Sequence, residues 1–519
     1  MIFRSPHPDV TIPDIPLTPF VLENLNGLAD KPALIDGPTG RTLSFGQLQN
    51  AIRLVAASLA ARGLAKGDVF AIYSPNLPEY AIIFHAVSLL GGINTTANPL
   101  YTVEELNFQL RDSGAKFIIT ISAFLDKAIE AAKGTGVEEI FTFDKSDGAT
   151  AFAELFKSDG NPPQVDIDPR EDLVALPYSS GTTGLPKGVM LTHHNLVANL
   201  VQYDGVQPMS SDEVLIGVLP FFHIYGMQVI LNSSIRHGQT VVTLPRFDME
   251  LFLRLIQDYK VTHGYLVPPI VLGLAKHPAV ANYDLSSLTM INSGAAPLGK
   301  DVAQACAERV RCLVKQGYGL TETSPVTHTS VNDPARVRAG SSGQLIPNTE
   351  CKIVDTATGA DLGPNEKGEL WIRGPQVMKG YLNNPEATEY TIDSEGWLHT
   401  GDIGYADEDG YFFIVDRVKE LIKYKGMQVA PAELEAVLLT HPAVADCAVI
   451  PVEDEEAGEL PKAYVALKGE ATAEELMAFV ASHVAPHKKI RMVEFIDQIP
   501  KTPSGKILRR ILIDRERAK

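Results

Sequence analysis

FGQLQNAIRLVAASLAARGLAKGDVFAIYSPNLPEYAIIFHAVSLLGG, residues Phe45 to Gly92, decides the fold class. From Phe45 to Gly63 apolar residues recur at helical spacing and the pattern stops at a glycine, so the segment reads as a helix. KGDVFAIYS, Lys66 to Ser74, reads as a short buried strand. NLPEYAIIFHAVSLLGG, Asn76 to Gly92, reads as a second helix, and KFIIT, Lys116 to Thr120, as a further strand. Helices alternating with short apolar strands predict an α/β fold built on a largely parallel sheet.

The rhythm resumes beyond residue 180. DEVLIGVLP (212–220), TVVTLP (240–245) and HGYLVPP (263–269) are strand-like, with helical patterns between them. From about 335 to about 415 the character changes. CKIVD (351–355), GELWIRG (368–374) and YFFIVD (411–416) are short strands separated by Gly and Asp turns, and they predict a small β-rich subdomain. A domain boundary is expected within VDRVKELIKYKG (415–426), which divides the chain into a large N-terminal unit, 1–416, and a mobile α+β unit, 417–519.

Composition excludes several classes. A chain of 519 residues exceeds what one hydrophobic core organises, so two or more domains are expected. A net charge of −18 speaks against nucleic acid or an anionic membrane as partner, since both require a basic face. The most apolar long stretch, Val69 to Ile93, is interrupted by Pro75, Asn76, Pro78 and Glu79 and does not read as a membrane span. Cys306, Cys312, Cys351 and Cys447 form no CxxC pair and read as reduced thiols. The proline-rich start lacks a signal-peptide core and the end, RERAK, is not a peroxisomal tripeptide, so a cytoplasmic location is expected.

The strongest local signal is SSGTTGLPKG, Ser179 to Gly188, directly after the strand-like LVALPY. Ser179, Ser180, Gly181, Thr182, Thr183 and Gly184 can turn backbone N–H groups and hydroxyls toward an anion. Lys187 adds a positive charge for a leaving pyrophosphate. Leu185 and Pro186 separate Gly184 from this lysine, so the loop is not a Walker A motif.

This loop resembles the signature of the adenylate-forming enzymes: acyl-CoA synthetases, luciferases and the adenylation domains of peptide synthetases. Five further motifs follow in the family's order across almost the whole chain. QGYGLTE contains Gln316, Gly317, Tyr318, Gly319, Thr321 and Glu322. The resemblance places the glycines and Tyr318 by adenine, with Ala295 and Ala296 also on the nucleotide, Thr321 at the α-phosphate, and Glu322 on Mg²⁺. A carboxylate beside phosphates is repulsive unless a divalent cation lies between them. WLHTGD ends in Asp402, implied to accept the ribose hydroxyls, and VDRVKE supplies Arg417 to the ribose and Lys419 to the hinge.

IKYKGMQVAP, Ile422 to Pro431, resembles the segment that faces the site during thioester formation, with Lys423, Lys425, Gly426 and Gln428 on matching positions. PKTPSGKILRR carries Lys506, implied to bridge substrate carboxylate and α-phosphate. The chemical need is plain, because an anion attacking an anion requires a positive charge to offset the repulsion. In the family Lys423 and Lys506 serve different half-reactions, and the C-terminal unit swings to exchange them. The stretch from Pro500 to Lys506 also resembles a site that lysine acetyltransferases modify.

LPFFHIYGM carries His223, implied to gate the acyl pocket. HIY, VPPIVLGLAKHP, SGAAPLGK and the run from WLHTGD to VAPAELEA resemble 4-coumarate–CoA ligases. The acyl-pocket residues implied by position are Tyr225, Asn292, Gly294, Ala295, Pro325 and Val326. Plant ligases commonly carry lysine where Asn292 stands, and GEICIRG where this chain reads GELWIRG. The expected reaction is ATP-dependent activation of a carboxylic acid to an acyl-adenylate and transfer of the acyl group to coenzyme A. The acid is expected to be of the coumarate or cinnamate type, with a medium-chain fatty acid as the alternative. A luciferase-like oxygenase, a carrier-protein loader and an inactive binding protein compete less well.

Overall fold

The computed structural model describes residues 1–145, 147–179, 186–425, 427–454, 457–502 and 505–519, with the side chain of Gln428 outside that set. The opening segment folds as its periodicity predicts. Helix Phe45–Ala61 begins at a capping box in which the Ser44 hydroxyl accepts from the Gln47 N–H and the Gln47 carboxamide accepts from the Ser44 N–H. Strand Val69–Tyr73 is wholly buried, and helix Glu79–Leu89 packs against the preceding helix.

Among the described residues the strands form four sheets. The first runs from Tyr178–Ser179 and Lys187–Thr192 through Leu173–Ala175, Ile93–Ala97 and Val69–Tyr73 to Ala115–Thr120, Glu139–Thr142 and Thr150–Ala151, and is parallel from Leu173–Ala175 onward. The second has a parallel centre of Leu313–Gly319, Met290–Ser293, His263–Leu266, Val214–Gly217, Thr240–Thr243 and Pro32–Asp36, with antiparallel strands at both ends. Helices of the two sheets share one continuous apolar core.

The third sheet is antiparallel: Ile2–Arg4, Glu350–Val354, Gly368–Arg373, Leu398–Ala406 and Phe412–Arg417. Its first strand comes from the extreme N-terminus, a long-range pairing that local pattern does not reveal. The fourth sheet, built on Ile422–Tyr424, Val444–Asp454 and Gly458–Leu467, carries helices Pro431–Thr440 and Ala473–Ala481 over one core and helix Arg509–Arg517 over a second. Strand Phe412–Arg417 closes the third sheet and Ile422–Tyr424 opens the fourth, so residues 418–421 alone connect them.

This last unit rests on the rest of the chain through few contacts. The Ala432 N–H donates to Asp416, and the Lys276 ammonium donates to the Leu439 carbonyl at 2.6 Å. No helix among the described residues is long and apolar enough to cross a membrane.

Candidate active site

Residues of the first three sheets and of the C-terminal unit surround one cavity of about 750 Å³. Its first cluster is an acid–arginine pair, of which Arg417 lines the cavity and Asp402 lies behind it. Asp402 on strand Leu398–Ala406 lies directly opposite Arg417 on strand Phe412–Arg417, so antiparallel register sets the carboxylate 3.2 Å from the guanidinium. The Tyr318 hydroxyl, arriving from the second sheet, donates to the other carboxylate oxygen at 2.6 Å. Burial pushes the Asp402 carboxyl up, while Arg417 and Tyr318 act in the opposite direction. The carboxylate keeps further lone pairs with which to accept hydroxyl protons.

A second cluster surrounds Glu322, in the turn that follows strand Leu313–Gly319. Its carboxylate accepts from Ser179 at 3.0 Å and from the Tyr381 hydroxyl at 2.8 Å. Both partners lie in the first sheet, so Glu322 joins the two large sheets at the cavity wall. Lys187, at the start of its strand, holds its ammonium 4.6 Å from the centre of the Tyr381 ring. Ser180, Gly181, Thr182, Thr183 and Gly184, which carry most of the predicted phosphate loop, lie outside the described residues, as does Gly426.

Lys506 enters the same cavity from the C-terminal unit. Its backbone N–H donates to the Thr502 hydroxyl, and neighbouring Gly505 packs where an added Cβ would lie 3.1 Å from a Val267 methyl. Burial first, and the Arg417 charge second, bring the Lys506 amine down to about 8. His223 also lines the cavity, and burial followed by the Lys506 charge lowers its imidazole to about 4, so it is neutral near pH 7. Asn76 holds this loop in place, donating to the carbonyls of Gly217 and Leu219 and accepting from the Phe221 N–H.

The acyl-side wall follows His223. Tyr225 starts a π-helix, Tyr225–Asn232, in which a Cβ on Gly226 would meet the Pro220 carbonyl oxygen at 2.2 Å. The Tyr225 hydroxyl donates to the Asn292 carbonyl, and its ring lies over Gly294, where an added Cβ would be 2.9 Å away. The space that glycine leaves is therefore filled by the Tyr225 ring. Asn292, Ala295, Gly317, Gly319, Thr321, Pro325 and Val326 line the cavity, and Ala295 adopts φ +70°.

Other predicted residues lie elsewhere. Gln316 accepts from the Leu298 N–H and braces that turn, and neither it nor Ala296 lines the cavity. Lys423 and Lys425 are exposed outside the cavity. Conversely, Tyr381, Tyr203, Thr329 and Glu369 line it without having been singled out. Lys315, one residue before the QGYG motif, is the neighbour with a legible signal: a lysine inside an otherwise buried strand demands an explanation.

This combination of an α/β body, a separate small unit bearing Lys506, and a buried acid–arginine pair beside a cavity walled by Tyr225 defines a class. The pattern of the AMP-binding enzyme family matches residues 22–382 and that of its C-terminal domain matches residues 433–506, so the chain belongs to the AMP-binding, adenylate-forming enzymes. More particularly, it is 48% identical over 524 residues to 4-coumarate–CoA ligase 2 of Petroselinum crispum, covering 99% of this chain and 96% of that one. It is 47% identical to 4-coumarate–CoA ligase of Pinus taeda, covering 100% and 98%. Among solved structures, the anthranilate CoA ligase AuaEII in complex with anthranoyl-AMP superposes with TM-score 0.89 at 27% identity, covering 98% of each chain. ATP-bound MatB from Rhodopseudomonas palustris gives 0.88 at 28%, covering 97% of this chain and 99% of that one.

Proposed function

We propose that this chain is an AMP-forming acid–CoA ligase whose acid is a planar aryl acid of the cinnamate type. The observation that carries the reading is the meeting, in one cavity, of Arg417 backed by buried Asp402, the Lys506 amine and the slot walled by Tyr225. Full-length relatedness to 4-coumarate–CoA ligases supports the same substrate class.

In the first half-reaction a carboxylate oxygen of the acid bonds to the α-phosphorus of ATP, and the bond to pyrophosphate breaks. Asp402 and Arg417 hold the ribose, Tyr318 and the strand glycines hold the base, and Thr321 reaches the α-phosphate. Lys506 sets its positive charge between the two reacting anions, while Lys187 and the loop from Ser179 to Gly184 attend the departing pyrophosphate. Glu322 suits Mg²⁺: its described partners are two neutral hydroxyls, and Mg²⁺ takes one or two carboxylates and otherwise phosphate and water oxygens. The ion bound there with ATP supplies neutralisation of phosphate charge.

In the second half-reaction the thiol sulfur of CoA, its proton given up to solvent, bonds to the acyl carbon, the bond from that carbon to the phosphate oxygen breaks, and AMP leaves. Neutral His223 stands at the junction of slot and phosphate region and can admit the thiol. Lys423, Lys425, Gly426 and Gln428 would serve this step. With Lys506 in the cavity and Lys423 exposed, the C-terminal unit must turn about the segment holding Lys419 to exchange them. Units 1–416 and 417–519 are then the moving bodies. Acetylation of Lys506 by a lysine acetyltransferase would remove the charge needed by the first step only; stoichiometrically acetylated enzyme that still adenylates at full rate contradicts this. The four cysteines are unpaired, and on that ground we place the enzyme in the reducing cytoplasm.

The deciding experiment measures CoA-dependent AMP release with cinnamate, 4-coumarate and octanoate. An aryl acid is expected to give the highest kcat/KM. Preference for octanoate over both aryl acids by about tenfold, about 1.4 kcal/mol, removes the aryl assignment in favour of a fatty acid.

A further inference from the structure

The acyl slot ends on charge. Strands Met290–Ser293 and Leu313–Gly319 run parallel with Asn292 opposite Lys315, so both side chains share one face of the sheet. Two residues further along the same faces come Gly294 and Gly317, which have no side chains. The Tyr225 ring covers Gly294, so the pair Asn292 and Lys315 forms the rung beyond the gap that Gly317 leaves, as the floor of the slot. An added Cβ on Gly317 would lie 3.5 Å from the Asn292 amide nitrogen and 3.7 Å from its oxygen, so the amide lies beside the open position. Asn292 is 4% exposed, lines the cavity, and its side-chain oxygen has no hydrogen-bond partner. A buried acceptor without a donor is costly, and a bound ligand hydroxyl removes that cost.

Lys315 is 1% exposed, and its ammonium donates to the side-chain oxygen of Gln207 and, at 2.5 Å, to the Ser330 carbonyl. Among the described residues it makes no ion pair with a carboxylate. The Gln207 oxygen lies 3.5 Å from the Tyr203 hydroxyl, and Tyr203 lines the slot. A cation so placed casts positive potential through a low-dielectric floor. Burial brings this amine down to about 7, so near pH 7 it carries its charge in about half of the molecules, and the positive potential is strongest below that pH.

We infer that Lys315, on the strand beside Asn292, is a specificity-determining positioning residue: it favours an aryl acid whose far end carries a hydroxyl. The ligand hydroxyl donates a hydrogen bond to the Asn292 side-chain oxygen. The electron-rich hydroxyl oxygen lies in the positive potential of Lys315, relayed through the Gln207–Tyr203 contact. Cinnamate, without the hydroxyl, leaves the Asn292 oxygen unpaired, and a 4-methoxy analogue can accept but not donate. The inference rests on the aryl-acid reading above and assigns its discrimination to a residue outside the direct lining.

The test compares kcat/KM for 4-coumarate and for cinnamate in wild type and Lys315→Met. The expected result is a fall in the 4-coumarate to cinnamate ratio by roughly two- to tenfold, the range of one hydrogen bond. A parallel fall for both acids, or an unchanged ratio, overturns the assignment. Should the variant not fold, the wild-type enzyme decides: 4-coumarate must exceed 4-methoxycinnamate in kcat/KM, and equal use of the two overturns the hydroxyl-donor floor. Octanoate keeps the two claims distinguishable. Its dominance over all aryl acids sinks the aryl reading itself, whereas good use of aryl acids with an unchanged ratio sinks only Lys315.

Discussion

A disulfide between Gly299 and Ala436 would test whether the two half-reactions need two arrangements of the C-terminal unit. Gly299 caps helix Lys300–Val310 in the large unit, and Ala436 sits on helix Pro431–Thr440 in the small one. A Cβ built on Gly299 lies 3.4 Å from the Ala436 Cβ, at the short edge of the roughly 3.5–4.5 Å that disulfides span. Gly299 has φ −60°, so cysteine fits its backbone without strain. The bridged Gly299→Cys/Ala436→Cys protein would be held with Lys506 in the cavity and Lys423 outside it. Single-turnover formation of acyl-adenylate should proceed close to the rate of the reduced protein. Thioester formation from that adenylate should fall to the share still unbridged: about 5% unbridged leaves roughly one-twentieth of the rate. Reductant should restore it. Single-cysteine variants control for the native thiols, of which Cys306, Cys351 and Cys447 are buried and Cys312 half-buried. A fully bridged protein that makes thioester at the reduced protein's rate refutes the exchange of Lys506 for Lys423.

Lys506→Ala should lower adenylation about 10²–10³-fold, the cost of removing one preorganised donor from a developing charge, yet convert supplied acyl-adenylate normally. Lys423→Ala should show the reverse, and equal losses in both half-reactions for either variant contradict the division. The adenylation kcat/KM should also have an alkaline limb near pH 8. The lysine charge is the active form and its amine titrates at about 8, so activity is retained below that pH and falls as pH rises through it. A limb seen only near the ordinary lysine value of about 10.4 would show that the amine is not held in the cavity before ATP binds.

The sequence alone was enough for the alternation of helix and strand from Phe45 onward and for the change to short antiparallel strands after about residue 335. Both are properties of near neighbours: a period of 3.6 or 2 and the turn residues between. Motif order was equally visible, since the loop at Ser179 to Gly188 and the QGYGLTE, WLHTGD and PSGK stretches are contiguous. What contiguity cannot show is how distant segments converge. Asp402 meets Arg417 only because a particular antiparallel register sets them opposite each other. Glu322 is held by Ser179 and Tyr381 only because the two large sheets come together at the cavity wall. Gly294 on its own reads as an open slot, but the ring of Tyr225, brought in by a π-helical turn, fills its place. The Lys315 ammonium looks like a stray charge until the neighbouring strand puts it one rung below the acyl pocket. The choice between Lys506 and Lys423 belongs to the tertiary structure altogether. Both sit in one small unit, and only the way its surface rests on the large body, through residues such as Ala436 against Gly299, decides which lysine enters the cavity.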